Sequence, residues 1–336
     1  MKMISIGVPC YNEEANIELM YEAITNEMQK LPQYEYEIIF ADNDSKDSSQ
    51  TIMKNIAMKD KHVKVLLNQT NFGPERSGIN CYKSASGDAY IGIPCDFQEP
   101  PEMIPTFIRE WESGCDIVWG QKTSSKESKL KYVCRNIFYG IINLLSDYPQ
   151  LQQTTGFGIM DKKVIDILLI TQNQDPEFNA RNLVCEYGFN IKLIPYTQRA
   201  RERGESSYSV SSYFHFAITS LVNTSTKPLH LMTVFGMFVA TICFVIAIFY
   251  FVYKLLHWDT FNAGMAPMVI GLFFVAGVQL FCMGMLGEYI AVLIRRVTNR
   301  PLVIEKEKIN FDEENTDNLD SRKRDEDTTS RIAANP

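Results

Sequence analysis

Residues 91–102 read IGIPCDFQEPPE: an apolar run that empties into one aspartate, a glutamine, a glutamate and a Pro-Pro stop. A run of this kind predicts a short buried strand that delivers side chains to a site at its end, with Pro94 and Asp96 two apart on one face. The same pattern recurs upstream. KMISIGVP (2–9) leads into Tyr11–Glu14, and YEIIFAD (36–42) leads into Asp42–Asp44. VKVLLNQ (63–69) and CDIVWGQK (115–122) are further β-rich runs, and helical stretches such as EEANIELMYEAITNEMQKL separate them. Strands alternating with helices over the first 205 residues predict an α/β domain with a mostly parallel sheet and helices on both faces. Ligands of such sheets bind at the carboxyl ends of the strands, so Tyr11 to Glu14, Asp42 to Asp44 and Asp96 to Glu99 are expected to meet in one crevice.

The chain has 336 residues, 46% apolar and 22% charged, with a formal net charge of −7. The apolar content supplies a large core, and the acidic balance argues against a nucleic-acid surface. Eight cysteines (10, 81, 95, 115, 134, 185, 243 and 282) contain no C-x-x-C pair. They are expected to be free thiols in a reducing compartment, not a disulfide framework or a zinc site. The N-terminus reads as a strand and a polar turn, without the h-region of a secretory signal.

Two charge-free runs, 232–253 and 266–287, are each long enough to cross a hydrocarbon core. Arg295, Arg296 and Arg300 follow the second run and outweigh Lys254 in the loop between them. The positive-inside tendency then places both termini in the cytoplasm of a multi-pass protein of the cell membrane. Upstream, Val210, Tyr213, Phe214, Ala217, Ile218, Leu221 and Val222 recur at helical spacing, with Ser211, Ser212, His215, Thr219 and Asn223 on the other face. This predicts an amphipathic helix lying in the membrane interface. The expected division is a cytoplasmic α/β domain at 1–208, an interface helix at 209–228, a two-helix anchor at 229–291, and a cytoplasmic tail at 292–336 that is largely disordered after 305.

No G-x-x-x-x-G-K-[ST], G-x-G-x-x-G or G-x-S-x-G motif is present, and the four histidines lack partners for catalysis. What remains is a carboxylate-rich mouth followed by Lys122, Arg135, Arg199, Arg201 and Arg203. Acidic oxygens suit a hard cation bridging a diphosphate, and arginines suit the remaining phosphate charge.

The series VPCYNEE, FADNDSKDSS, NFGPERSGI, CDFQEPPEMIP, TTGFGIMDKKVID and RERGESSY, followed by TKPLHL and two apolar runs, resembles the bacterial polyprenyl-phosphate glycosyltransferases. These are relatives of dolichyl-phosphate mannose synthase in glycosyltransferase family 2. The resemblance runs from about residue 3 to 305 and is specific as a set. It implies a GT-A fold, a nucleotide-sugar donor, Mg2+ or Mn2+, and inverting transfer of a hexose from a UDP- or GDP-linked sugar to polyprenyl (undecaprenyl) phosphate. Carried over by motif, Asp96, Arg135 and Arg201 are the catalytic residues. Pro9, Tyr11, Glu13, Asp42, Asp44 and Lys122 bind the nucleotide sugar, and Asp96 and Gln98 hold the metal. Nucleic acid is not an expected partner, and oligomeric state is left open, a homo-oligomer included.

The chain departs from the family pattern at several places. Pro94 stands where the D-x-D motif has its first aspartate. Magnesium takes only one or two carboxylates, so Asp96 with Gln98 or Glu99 suffices in principle. Asn43 stands where a second aspartate is frequent, Asp44 where glycine is frequent, and Ser207 where G-E-S-K has lysine. Gly156 replaces an acidic residue. Two other readings compete: a transferase acting on another lipid or on a polysaccharide, and a catalytically impaired, membrane-anchored nucleotide-binding subunit. Processive synthases of the family carry a Q-x-x-R-W motif that is absent here.

Overall fold

A computed structural model of the chain describes residues 1–123, 151, 153–174, 180–199, 227–256, 265–297 and 301–311. Among these, β1 (Lys2–Cys10), α1 (Ile17–Gln29), β2 (Tyr34–Asp42), α2 (Ser49–Lys59), β3 (Val63–Asn68), α3 (Pro74–Lys83) and β4 (Ala89–Gly92) alternate strictly. Then come α4 (Ile104–Glu112), β5 (Ile117–Lys122), β6 (Thr154–Asp161), α5 (Lys162–Gln174), α6 (Ala180–Glu186) and β7 (Ile191–Tyr196). Two long helices, α7 (Lys227–Leu256) and α8 (Met265–Val297), precede β8 (Glu305–Ile309).

The eight strands form one sheet in the order β7-β5-β6-β4-β1-β2-β3-β8. β1 pairs in parallel with β2 and β4, β2 with β3, and β5 with β7. β6 runs antiparallel between β4 and β5, and β8 is antiparallel to β3. The sheet is therefore mostly parallel, as expected. Its strands feed two cores because successive side chains alternate across it. Ile38 and Phe40 join Ile4, Ile6 and Val8 on the face covered by the Ile17, Met20, Ile24 and Met28 stripe of α1. Ile39 and Ala41 join Leu66, Cys81 and Trp119 on the other. Gly7 is required where α3 crosses β1: a Cβ there would lie 2.7 Å from the Cβ of Cys81 and closer still to the Tyr90 ring.

Two expectations are corrected, and the sheet carries three strands beyond the expected β-rich runs. First, β4 stops at Gly92, so Pro94 and Asp96 are not residues of one strand face. Ile93 N still donates to Gly7 O (3.0 Å), but the chain then turns, with Phe97 at φ 57°. Second, the tail is ordered at 305–309. EKEKI reads as solvated polar chain, yet pairing with the edge of β3 supplies its backbone partners and seats Ile309 beside Val65. The added strands are β6, β7 and β8, whose runs are broken by glycines, a proline or charges and carry little local strand signal.

The two charge-free runs lie within α7 and α8. Among the described residues, one stretch, Phe274–Ile294, is long and apolar enough to cross a membrane; Leu229–Ile242 is a shorter apolar stretch. Both helices turn large apolar side chains outward, including Phe235, Phe238, Leu272 and Phe281. Soluble surfaces rarely expose such faces. The segment expected to form the interface helix lies outside the described residues up to 226.

Candidate functional site

Because β4, β1, β2 and β3 are parallel neighbours, their carboxyl ends open on one edge, and Cys10 lies level with Asp42. Asp42 is fully buried. Its Oδ2 accepts from Ser45 N (3.1 Å) and Gln50 Nε2 (2.8 Å), whereas Oδ1 is buried with no hydrogen-bond partner. Leaving such an acceptor unmade costs roughly 1–3 kcal/mol. The oxygen is screened from solvent, so an N–H or O–H of a ligand reaches it only when the loops around Asp42 part.

The loops after β1 and β2 are laced together around Asp42. Asn12, at φ 55°, donates its backbone N–H to Ser45 Oγ (2.8 Å) and accepts from Lys46 N through Oδ1 (2.8 Å). Glu13 N donates to Ser49 Oγ (3.0 Å), and Glu14 Oε2 accepts from Ser48 N (2.9 Å). Pro9 is half-buried at the end of β1 and Tyr11 is exposed beside it. The Glu13 carboxylate accepts from Asn16 Nδ2 (2.6 Å), which ties it to the start of α1.

Two departures from the family pattern gain a physical account. Asp44 sits at φ 63°, the left-handed region that favours glycine and that aspartate tolerates better than most residues. Its carboxylate pairs with Lys46 (2.7 Å). Asn43 is buried and uses both ends of its amide. Nδ2 donates to Asn71 Oδ1 (2.8 Å), and Oδ1 accepts from Phe72 N (3.0 Å) and Asn68 Nδ2 (3.3 Å). A carboxylate could not make the donating bond.

The second half of the site is built on the turn after β4. Asp96 is half-buried, and its Oδ1 accepts from Gln98 N (3.2 Å), closing the turn that Phe97 enters. Gln98 is held from β7's end: its Oε1 accepts from Gln198 Nε2 (3.2 Å) and its carbonyl from Arg199 N (3.1 Å). Glu99 is buried, and its Oε1 accepts from Tyr196 OH (3.1 Å) and Thr155 Oγ1 (3.3 Å), with Lys122 Nζ at 4.0 Å. Burial pushes the Glu99 carboxyl above its ordinary range; Lys122 opposes this and the Asp96 charge adds to it. Gly120 makes room for Tyr196, since a Cβ there would lie 2.8 Å from its ring.

Pro9, Tyr11, Glu13, Asp42 and Asp44 thus form one cluster, and Asp96, Gln98 and Lys122 a second on the same sheet edge. Arg135 and Arg201 lie outside the described residues. Thr155, Tyr196 and Gln198 were missed because β6 and β7 were not read as strands. Glu99 stood in the quoted run, but its burial arises from partners distant in sequence.

Among the described residues, no three His, Cys, Asp or Glu side chains gather as a metal cage. Asp96 and Gln98 offer oxygens only, which suits a hard divalent cation that takes one or two protein ligands and completes its shell with phosphate and water. Gln98 Oε1 already accepts from Gln198 Nε2 and Glu99 Oε1 from Tyr196 and Thr155, so metal ligation through either oxygen would displace those bonds.

Residues 5–167 match the family model described as glycosyl transferase family 2. An SfII prophage-derived bactoprenol glucosyl transferase of Shigella flexneri is 32% identical over 307 residues, covering 90% of this chain and 97% of that protein. A bactoprenol glucosyl transferase of Shigella phage SfV is 31% identical, over 91% of this chain and 99% of that protein. A prophage bactoprenol glucosyl transferase homolog of Escherichia coli K12 is 29% identical, over 90% and 98% respectively.

Proposed function

The chain belongs to glycosyltransferase family 2 and is a glycosyltransferase, and from that premise we propose that it transfers a hexose from a UDP- or GDP-linked sugar to polyprenyl (undecaprenyl) phosphate. The observation that carries the reading is the union, in one chain, of a strand-end crevice with two helices whose exposed faces are apolar. A soluble acceptor would not call for such helices. Relatives named as bactoprenol glucosyl transferases, matched over nearly their whole lengths, support a polyprenol-based acceptor.

In this reading α7 and α8 both span the membrane, with the catalytic domain and both termini cytoplasmic. The domains divide at about 208, 228 and 291. Labelling of single cysteines from outside intact cells should mark the loop at 254–264 and spare both termini.

The acceptor phosphate monoester has a second pKa near 6 and is largely dianionic at pH 7. It attacks the anomeric carbon without a general base, and the sugar inverts as the nucleoside diphosphate leaves. Asp42 Oδ1 accepts a hydrogen bond from the nucleoside, and the Tyr11 ring lies against it. Lys122, Arg135 and Arg201 are assigned to neutralising the phosphate charge that grows on the leaving group. Asp96 and Gln98 would hold Mg2+ or Mn2+, which would supply charge neutralisation at the diphosphate.

The test is transfer of labelled sugar from UDP- and GDP-sugars to undecaprenyl phosphate by the purified full chain, with and without divalent metal. The expected product is a labelled, organic-extractable lipid. Label appearing only in a polysaccharide, or only as free sugar, would overturn the proposed acceptor.

A further inference from the structure

The strand that follows α8 is stitched to the outer edge of the sheet, and it starts at the crevice end of that edge. β8 runs antiparallel to β3, so Glu305 lies opposite Asn68, the last residue of β3, and Ile309 lies opposite Val65. Just before it, Ile304 O accepts from Gln69 N (2.8 Å). Just after it, Asn310, at φ 62°, donates through Nδ2 to Ala57 O (2.7 Å) and Val63 O (2.8 Å). Phe311 packs on the second core, with the Lys64 ammonium 5.3 Å from its ring centre. Lys54 pairs with Glu307 (2.6 Å), a surface contact of small weight beside the ladder and the Asn310 amide.

The geometry limits where α8 can end. From Val297, the end of α8, to Glu305 there are eight chain steps, which span at most about 29 Å even when fully extended. Strands neighbour one another at about 4.8 Å, so Asp42 lies two strands, and Cys10 three strands, from this anchor. The helix that carries the apolar stretch Phe274–Ile294 is therefore leashed, within that reach, to a point at the crevice end of β3.

We propose that residues 301–311 are a positioning strap that holds the mouth of the crevice against the membrane surface where the lipid phosphate is presented. The proposal rests on the polyprenyl-phosphate reading above. A short, docked connection keeps the acceptor phosphate at high effective concentration at the crevice, whereas a slack one lets the domain swing away. A blander role for β8 is to cover the open edge of β3, and the two roles respond differently to one change.

That change is an insertion of twelve Gly and Ser residues between Pro301 and Leu302 in the full chain, which adds about 19 Å of slack and leaves β8 intact. In vesicles containing undecaprenyl phosphate, turnover should fall roughly 10- to 100-fold. Thermal unfolding and transfer to a water-soluble short-chain prenyl phosphate should not change. A fluorophore at position 70, where Thr70 is exposed just past the crevice end of β3, should transfer less energy to a labelled lipid. The double variant Asn310→Ala, Phe311→Ala should release the strap, with the same loss on membrane acceptor and a lower unfolding temperature. Wild-type turnover and unchanged energy transfer in the insertion variant would overturn the strap and leave β8 as an edge cover. If wild type uses neither acceptor, the acceptor reading fails, and the energy-transfer arm alone decides the strap: a drop supports it and no change refutes it.

Discussion

Substituting Asn43→Asp moves the chain toward a residue frequent in its family, yet it should destabilise this protein. The Asn43 amide is 3% exposed and works in both directions. Aspartate keeps the bonds accepted from Phe72 N and Asn68 Nδ2 but loses the one donated to Asn71 Oδ1, and sets an oxygen against an oxygen at 2.8 Å. Asn71 cannot simply turn its amide over, because the same Oδ1 accepts from Gly73 N (2.9 Å). The lost bond and the buried acceptor left facing another acceptor cost about 3 kcal/mol together. The new charge strengthens the two accepted bonds by about 1 kcal/mol, leaving a net loss of about 2 kcal/mol. For a domain of this size that lowers Tm by about 4–8 °C. Thermal unfolding of the full chain in detergent, followed by tryptophan fluorescence, reads this directly, since Trp111 and Trp119 are buried in the catalytic domain. Asn71→Ser in the same chain should recover part of the loss, because a hydroxyl can turn to donate. An Asn43→Asp protein as stable as wild type would show that the donated bond is not what asparagine is there for.

Asp96→Asn should nearly abolish transfer in a metal titration, because a neutral amide cannot anchor a divalent ion; full activity in this variant, or in wild type after complete chelation, would remove Asp96 from metal binding. Asp42→Asn keeps an oxygen for Ser45 N and Gln50 Nε2 but replaces the unpaired acceptor by a donor. Calorimetry should show nucleoside diphosphate affinity about tenfold weaker, and unchanged affinity would mean that this oxygen does not meet the nucleotide. Glu37 is buried, which raises its pKa, but Lys64 (2.6 Å), Ser5 and Ser86 outweigh this and hold it below the ordinary value. A depressed folded-state pKa contributes stability that is present above the unfolded value of about 4.3 and is lost as pH falls through the folded value. Urea unfolding should therefore show Glu37→Gln about 3 kcal/mol less stable at pH 7, with the gap narrowing on acidification; a gap independent of pH would refute the pairing.

The amino-acid sequence by itself determined the alternation of β1 to β4 with their helices, the sheet edge that carries the site, and the apolar character of α7 and α8. Those features are written in local periodicity: Ile4, Ile6 and Val8 alternate on a strand, Ile17, Met20 and Ile24 recur on a helix, and carboxylates stand where apolar runs stop. Only the tertiary structure decided that β6 runs antiparallel between β4 and β5 and that EKEKI is a strand, because those runs owe their backbone partners to segments far along the chain. The same holds for the site. Asp42 was legible as a strand-end carboxylate, but its one unpaired oxygen depends on what Ser45 and Gln50 already satisfy. Glu99 lay in plain view beside Asp96, yet its burial is created by Thr155 and Tyr196, 56 and 97 residues away. Burial and pairing are properties of the neighbours that folding brings together, and no window of sequence around one residue contains them.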